Sequence, residues 1–308
     1  MTKRVCAVIT AIVLAATLGV SGQGQAPAGG QAPPAPMAIK QVKPGLYMVT
    51  GFGGNSIVRV TDQGVILVDT KNLGDGPYND LVAQIKTVTN QPVRYVFVTH
   101  VHQDHSGNIG RFKAAGAEVI THEGLKKNLE TGGLDGKGYT APAGKPDPPS
   151  ATYSVTSREV KLGNVVARAS HFANAHTGGD SVVLFPDLRV IAFGDEFVAQ
   201  PPNADLPNGG SVLTFPKALA EALKLDWDTA IPGHGNDPMT RADVQAYQKK
   251  WEAIARKSLE LRKKGVAKEQ IRQQIQAELP EIAPWMMTGI VNDMRLDLFY
   301  QELTNATR

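Results

Sequence analysis

The chain has 308 residues, 42% hydrophobic and 20% charged, with 32 Lys and Arg against 29 Asp and Glu for a formal net charge of +3. This is the composition of a soluble globular protein with room for a sizeable core, and outside one C-terminal helix no dense basic run interleaves with aromatics, so nucleic-acid binding is not indicated. The only cysteine, Cys6, lies in an N-terminal apolar run; disulfides and thiolate metal ligands are excluded from the rest of the chain, leaving His, Asp and Glu as strong ligands.

Lys3 and Arg4 precede an uncharged apolar run, Val5 to Val20, followed by the small residues Ser21 and Gly22. That layout predicts a secretory signal peptide over residues 1–22. The competing membrane anchor is disfavoured because the run is short for a bilayer span. The expected product is exported, periplasmic or secreted, with no stable membrane insertion after cleavage. Residues 23–38 are Gln, Ala, Pro and Gly without periodicity, and read as a disordered linker.

Folding signals begin at Ile39. Leu46–Val49, Ser56–Val60 and Val65–Val68 are short β-rich runs separated by Gly51-Phe52-Gly53-Gly54 and Asp62-Gln63-Gly64. Leu81, Val82, Ile85 and Val88 mark a helix over 77–88, and Val93–Val98 a strand. Helices near 108–114 and 124–129 flank a strand over 118–120. This alternation predicts layered α/β structure. Residues 131–150 are rich in Gly and Pro and too long for an ordinary connection, and Leu134 and Tyr139 suit a lid over substrate.

A second set of strands is expected at 158–162, 165–170, 181–185 and 190–193, and the repeat of strands then helices suggests a two-sheet sandwich. A helix over 215–223 and a strand over 229–231 follow. From Thr240, an N-cap with Asp243 three residues on, the chain reads as helical. Val244, Tyr247, Trp251, Ile254 and Leu261 form one apolar stripe. A helix over 267–279 follows, and a third over 284–303 carries Met287, Val291, Met294 and Leu298 at helical spacing. Such stripes are most simply packing surface.

The chemistry concentrates in Thr99-His100-Val101-His102-Gln103-Asp104-His105. Imidazole and carboxylate suit zinc, and on extended backbone His100 and His102 point the same way, leaving Asp104 and His105 past the strand end to face a second ion. A His cluster can also be a surface tract, so the rest of the chain decides. Three further tight turns carry a ligand-capable side chain: His176-Thr177-Gly178-Gly179-Asp180, Gly194-Asp195, and Pro232-Gly233-His234-Gly235.

In this order the residues resemble the metallo-β-lactamase superfamily, whose His-x-His-x-Asp-His signature and later single His, Asp and His positions are all filled over roughly residues 39–238; Asp69 stands where the family carries an acidic residue. The resemblance implies an α/β fold, a four-layer αββα sandwich over 39–239, with a C-terminal helical extension over 240–308. It also implies two zinc ions per chain. His100, His102 and His176 would hold one, Asp104, His105 and His234 the other, and Asp195 would bridge both, with a metal-bridging hydroxide as nucleophile. Asp104 would orient that nucleophile or pass on its proton, whereas Asp69 and Asp180 would support the ligands from behind. His122 and His171 match no ligand position and read as structural.

Within that family the sequence points to hydrolysis of a small-molecule ester, thioester, lactone or lactam. Gly194-Asp195-Glu196 stands where thiolate-site lactamases carry cysteine, and no Lys or Arg follows to clamp a substrate carboxylate. A β-lactamase with an all His/Asp site remains an alternative. Hydroxyacylglutathione hydrolase is disfavoured because its Gly-Cys-Gly-Arg loop is missing, and His102 stands where di-iron members carry Glu. RNA-processing and sulfatase members usually carry extra domains. The rivals from other classes are a mononuclear iron dioxygenase and a non-catalytic metal-binding protein.

Overall fold

Strand β4 (Val65–Val68) shows why the chain layers as it does. All four residues are buried, and successive side chains leave on opposite faces. Val65 and Leu67 join one hydrophobic cluster, whereas Ile66 and Val68 join another. A strand apolar on both faces needs cover on both. The computed structural model, which describes residues 36–131, 147–282, 285 and 295–308, supplies that cover as four layers. The expected signal peptide, nearly all of the expected linker, Leu134 and Tyr139, and the stripe residues Met287, Val291 and Met294 lie outside the described residues.

The first sheet runs in the order β1 (Ala38–Lys43), β2 (Leu46–Thr50), β3 (Ser56–Val60), β4, β5 (Val93–Phe97), β6 (Glu118–His122) and β7 (Ala151–Tyr153). It is antiparallel through β4 and parallel from β4 to β7. The second contains β8 (Ser157–Leu162), β9 (Val165–Ser170), β10 (Val182–Phe185), β11 (Val190–Ala192), β12 (Thr229–Ile231) and β13 (Met239–Thr240), with β11 and β12 parallel. Ile66, Val68 and Phe97 meet Ala167, Val183 and Val190 between the sheets. On the outer face of the first sheet, α1 (Asp75–Lys86), α2 (Gln103–Ser106), α3 (Ile109–Ala114) and α4 (Glu123–Thr131) follow its strands, and Leu81, Phe112 and Leu129 pack onto it.

The fourth layer is α5 (Phe215–Ala222), α6 (Arg241–Lys263), α7 (Lys268–Glu278) and α8 (Leu296–Ala306). Trp251, Ile254, Leu261, Ile275, Phe299 and Leu303 share one cluster with Val182, Ile191 and Phe193; α6 lies against the second sheet at β12 and β13, and α7 and α8 pack on α6. Helix α6 opens with the expected capping box: the Asp243 N–H donates to Thr240 Oγ1 at 3.2 Å and the Thr240 N–H to Asp243 Oδ2 at 2.8 Å. Among the described residues no helix is long and apolar enough to cross a membrane.

Three local readings need correction. Strands β1, β7 and β13 are not among the expected elements; β1 pairs with β2, and β7 and β13, at three and two residues, lack a periodic pattern and exist through pairing with β6 and β12. Helix α1 starts at Asp75, before Pro77, because a proline in the first turn removes no helical hydrogen bond. His100 and His102 do not sit on extended strand: β5 stops at Phe97, since the Asp69 carboxylate takes the Thr99 N–H at 2.7 Å in place of a neighbouring strand.

Candidate metal centre

All the sequence-identified ligands follow strand ends on one edge of the sandwich. His100 lies in the loop after β5, His102 immediately before α2, and Asp104 and His105 on α2. His176 lies between β9 and β10, Asp195 in a one-turn 3-10 helix, Gly194–Glu196, after β11, and His234 after β12. This is the edge at which the parallel pairs β4–β5 and β11–β12 end, where α/β sheets present side chains to a ligand.

Two groups result. His100, His102, His176 and Asp195 each offer a ligand atom within 4.8 Å of the others, and so do Asp104, His105 and His234. Asp195 reaches both groups. Its Oδ2 lies 3.6 Å from His176 Nε2 and 3.4 Å from His234 Nε2, and its Oδ1 3.3 Å from His105 Nε2. His234 Nε2 is 3.2 Å from Asp104 Oδ2.

The hydrogen bonds behind the rings decide which nitrogen faces inward. His105 Nδ1 donates to Asp69 Oδ2 at 2.8 Å, His176 Nδ1 to the Asn203 carbonyl at 2.7 Å, and His102 Nε2 to Asp205 Oδ2 at 2.6 Å. Thr99 Oγ1 gives its proton to Asp69 Oδ2 at 2.8 Å and so accepts from His100 Nδ1 at 3.1 Å. In the neutral rings, each inner nitrogen is therefore a lone pair. His102 Nδ1 and His176 Nε2 face each other at 2.9 Å, and His100 Nε2 and Asp195 Oδ1 are buried without a hydrogen-bond partner. Converging lone pairs beside an orphaned carboxylate oxygen are the donor set that a cation satisfies, so the residues fit a metal centre.

The electrostatics follow the carboxylates beside each ring. Burial, helped by His105 and His176, holds His100 well below its usual range, and burial with His102 brings His176 down to about 4. Burial also acts against a charge on His102, His105 and His234, but nearby carboxylates outweigh it: Asp205 raises His102, Asp104 and Asp195 raise His105, and Asp195 and Asp104 raise His234 to about 9. Burial pushes Asp104 and Asp195 up, yet the His105 and His234 fields prevail and keep both carboxyls below their usual range.

The foundations lie one layer back. Asp69 and Lys71 both have left-handed backbone, φ 62° and 65°, a strain tolerated where the side chains are needed. Lys71, fully buried, donates to the Val49 and Gly54 carbonyls at 2.6 and 2.7 Å. Gly54 presses on the His105 ring so closely that a Cβ would lie 2.0 Å from Cε1, and at Gly233 a Cβ would lie 2.1 Å from Asp195 Oδ1. Asp180 accepts the Thr177 N–H at 2.8 Å and the Ala175 N–H at 3.3 Å, shaping the His176 turn; burial pushes its carboxyl up to about 7. His122 and His171 stack on each other at 4.0 Å outside both ligand groups, with His171 Nδ1 donating to the Asp180 carbonyl at 2.7 Å.

Asp205, Asn203 and Lys71 escaped the sequence reading. Asp205 sits in a Pro/Asn/Gly-rich loop that reads as a turn, and nothing local pairs it with a histidine 103 positions away.

A model of the metallo-beta-lactamase superfamily matches residues 49–261. Over 230 residues the chain is 24% identical to 2,4-dinitroanisole O-demethylase subunit alpha from Nocardioides sp. (strain JS1661), covering 75% of this chain and 67% of that one. It is 29% identical over 199 residues to metallo-beta-lactamase IND-1 of Chryseobacterium indologenes, 62% of this chain and 75% of that protein. The stereoselective inverting sec-alkylsulfatase Pisa1 from Pseudomonas sp. is similar in structure, with TM-score 0.70 and 18% identity over 86% of this chain and 50% of the sulfatase.

Proposed function

The chain belongs to the metallo-β-lactamase superfamily and is a metal-dependent hydrolase, and on that premise we propose that it uses two zinc ions to cleave a small-molecule ester, thioester, lactone or lactam. The observation that carries the proposal is the convergence of seven ligand side chains, with outer acceptors turning imidazole lone pairs inward. Zinc bound there supplies acidified water and a polarised scissile group.

The chain's own residues set the geometry. Asp195 spans both ligand groups and holds them at a fixed separation. The side chains of Asp104, His234 and His102, 28%, 25% and 22% exposed, form the open face where substrate enters. On that face Asp104 orients the attacking water and relays its proton. Asp69, Asp205 and the Asn203 carbonyl keep the rings aimed without moving.

Among the described residues Lys71 and Arg295 approach the site, and both are engaged by the protein. Lys71 is held by carbonyls, while Arg295 donates to Asn203 Oδ1 and lies 3.9 Å from Asp205 Oδ1. With neither offered as a carboxylate clamp, neutral acyl substrates are favoured over β-lactams. β-Lactam hydrolysis stays as the second reading, supported by the likeness to IND-1. The N-terminal apolar run supports an exported enzyme acting on a diffusible small molecule.

The test is a screen of purified protein against aryl esters, thioesters, lactones and a chromogenic cephalosporin, with metal analysis on the same sample. An aryl methyl ether and a secondary alkyl sulfate belong in the panel because of the relatives above. Two zincs with turnover of an acyl substrate is the expected result. A single iron with oxygen consumption would indicate a dioxygenase instead, and full metal loading without turnover on any substrate would indicate a binding protein.

A further inference from the structure

The loop from Asn203 to Leu213 meets two of the three histidines of the His100/His102/His176 group. Asp205 Oδ2 accepts from His102 Nε2, the Asn203 carbonyl accepts from His176 Nδ1, and the Asp205 N–H returns a bond to the His176 carbonyl at 2.8 Å. The loop thus fixes both the tautomer and the position of the rings. Asp205 is buried, 5% exposed, and a carboxylate there needs a compensating positive group as well as its bonds from His102 and, at 2.6 Å, Asn208 Nδ2.

The last helix supplies that group and a second tether. Arg295, the residue that precedes α8, donates to Asn203 Oδ1 and approaches Asp205 Oδ1 to 3.9 Å. Two turns along, the Glu302 carboxylate accepts from Ser211 Oγ, from the Val212 N–H at 3.3 Å and from the Leu213 N–H at 3.2 Å. Phe299 and Leu303, fully buried in the cluster on the second sheet, hold α8 rigidly while these side chains reach the loop at both ends.

We propose that α8 braces the Asn203–Leu213 loop through Arg295 and Glu302, and so sets the metal affinity of the His100/His102/His176 subsite without touching metal or substrate. This rests on the reading of the cluster as a two-metal centre. Arg295 and Glu302 are positioning residues. Without Arg295 the buried Asp205 carboxylate loses the guanidinium beside its Oδ1, Asn203 loses its donor, and the loop relaxes away from both rings.

The experiment is zinc and cobalt(II) titration of full-length protein stripped with chelator, reading stoichiometry, stepwise affinity and the cobalt absorption spectrum. Arg295→Ala is expected to weaken one ion by roughly 10–100-fold and leave the other unchanged. The weakened ion is the one lost in His176→Ala. Arg295→Lys, keeping charge without the planar fork, falls between, and carries the test if the alanine variant fails to fold. Glu302→Gln weakens the same ion to a smaller degree. Asp297→Ala, which removes the exposed pair between Lys268 of α7 and Asp297 of α8, leaves both affinities at the wild-type value. Wild-type protein that binds two ions, with Arg295→Ala and Arg295→Lys indistinguishable from it, would overturn the inference alone. Wild-type protein that binds no metal would overturn the reading beneath it as well.

Discussion

At the scale of single residues, the centre is defined less by its seven ligands than by what stands behind them. A histidine whose outer nitrogen donates to a fixed acceptor has one orientation and one tautomer, and His100, His102, His105 and His176 each have such a partner. Replacing His102 or Asp195 by alanine therefore removes an aimed ligand from a rigid site. Hydrolysis should fall by at least about a thousandfold with the fold retained by circular dichroism, since ion placement supplies most of the rate. His171→Ala should be mild, because that ring touches His122 and a carbonyl and no ligand atom; an equal loss there would show the ligand set to be misassigned.

Protonation gives a second prediction at this scale. Without metal, the carboxylates hold protons on His105 and His234, the latter up to about 9, whereas His100 and His176 are neutral near pH 7. An ion entering the Asp104/His105/His234 group meets two rings on which carboxylates favour a proton, and one entering the other group meets one such ring, His102. As pH falls below about 9, affinity for the second ion should drop more steeply than for the first. Proton release measured by calorimetry in buffers of different ionisation enthalpy checks this. Equal release for both ions would contradict it.

At the scale of elements, the ligands depend on where strands stop. Strand β5 ends at Phe97 because Asp69, carried in by β4, takes the Thr99 amide, and the freed loop brings His100 and His102 round into the group. The β2–β3 connection closes over the far side, with Lys71 drawing the Gly54 carbonyl inward and Gly54 packing bare against His105. Gly54→Ala would force a methyl to within 2.0 Å of the ring. The expected outcome is loss of one ion and about 1–3 kcal/mol of stability, read by metal analysis and thermal denaturation. A fully loaded Gly54→Ala protein would mean that the ring has another resting place. Runs such as Val65–Val68 and the stripe of α6 were legible because their period matches the structure they form. The short β7 and β13 were not, since pairing alone defines them.

At the scale of the whole molecule, two sheets carry helices on their outer faces, and the ions would join loops from both sheets. Binding to the folded state alone stabilises by RT ln(1 + [L]/Kd), about 4 kcal/mol at a thousandfold excess over Kd. For a chain of this size, chelator treatment should lower Tm by on the order of 10 °C, restored by zinc. An unchanged Tm would argue that the centre is empty in solution.

The sequence alone determined the kinds of side chain available and their local spacing. With no thiol beyond Cys6, with His-x-His-x-Asp-His in one stretch and single His, Asp and His on later turns, the seven metal-capable groups and the layered α/β pattern were readable. Only the tertiary structure decided which nitrogen of each ring faces inward, and which residues hold it there. Asp205 behind His102, the Asn203 carbonyl behind His176 and Lys71 beneath the Gly54 loop are hydrogen-bond partners chosen by proximity in space. A hydrogen bond reaches about 3 Å and leaves no periodicity in the chain, so no local pattern announces a partner that folding brings from 103 residues away.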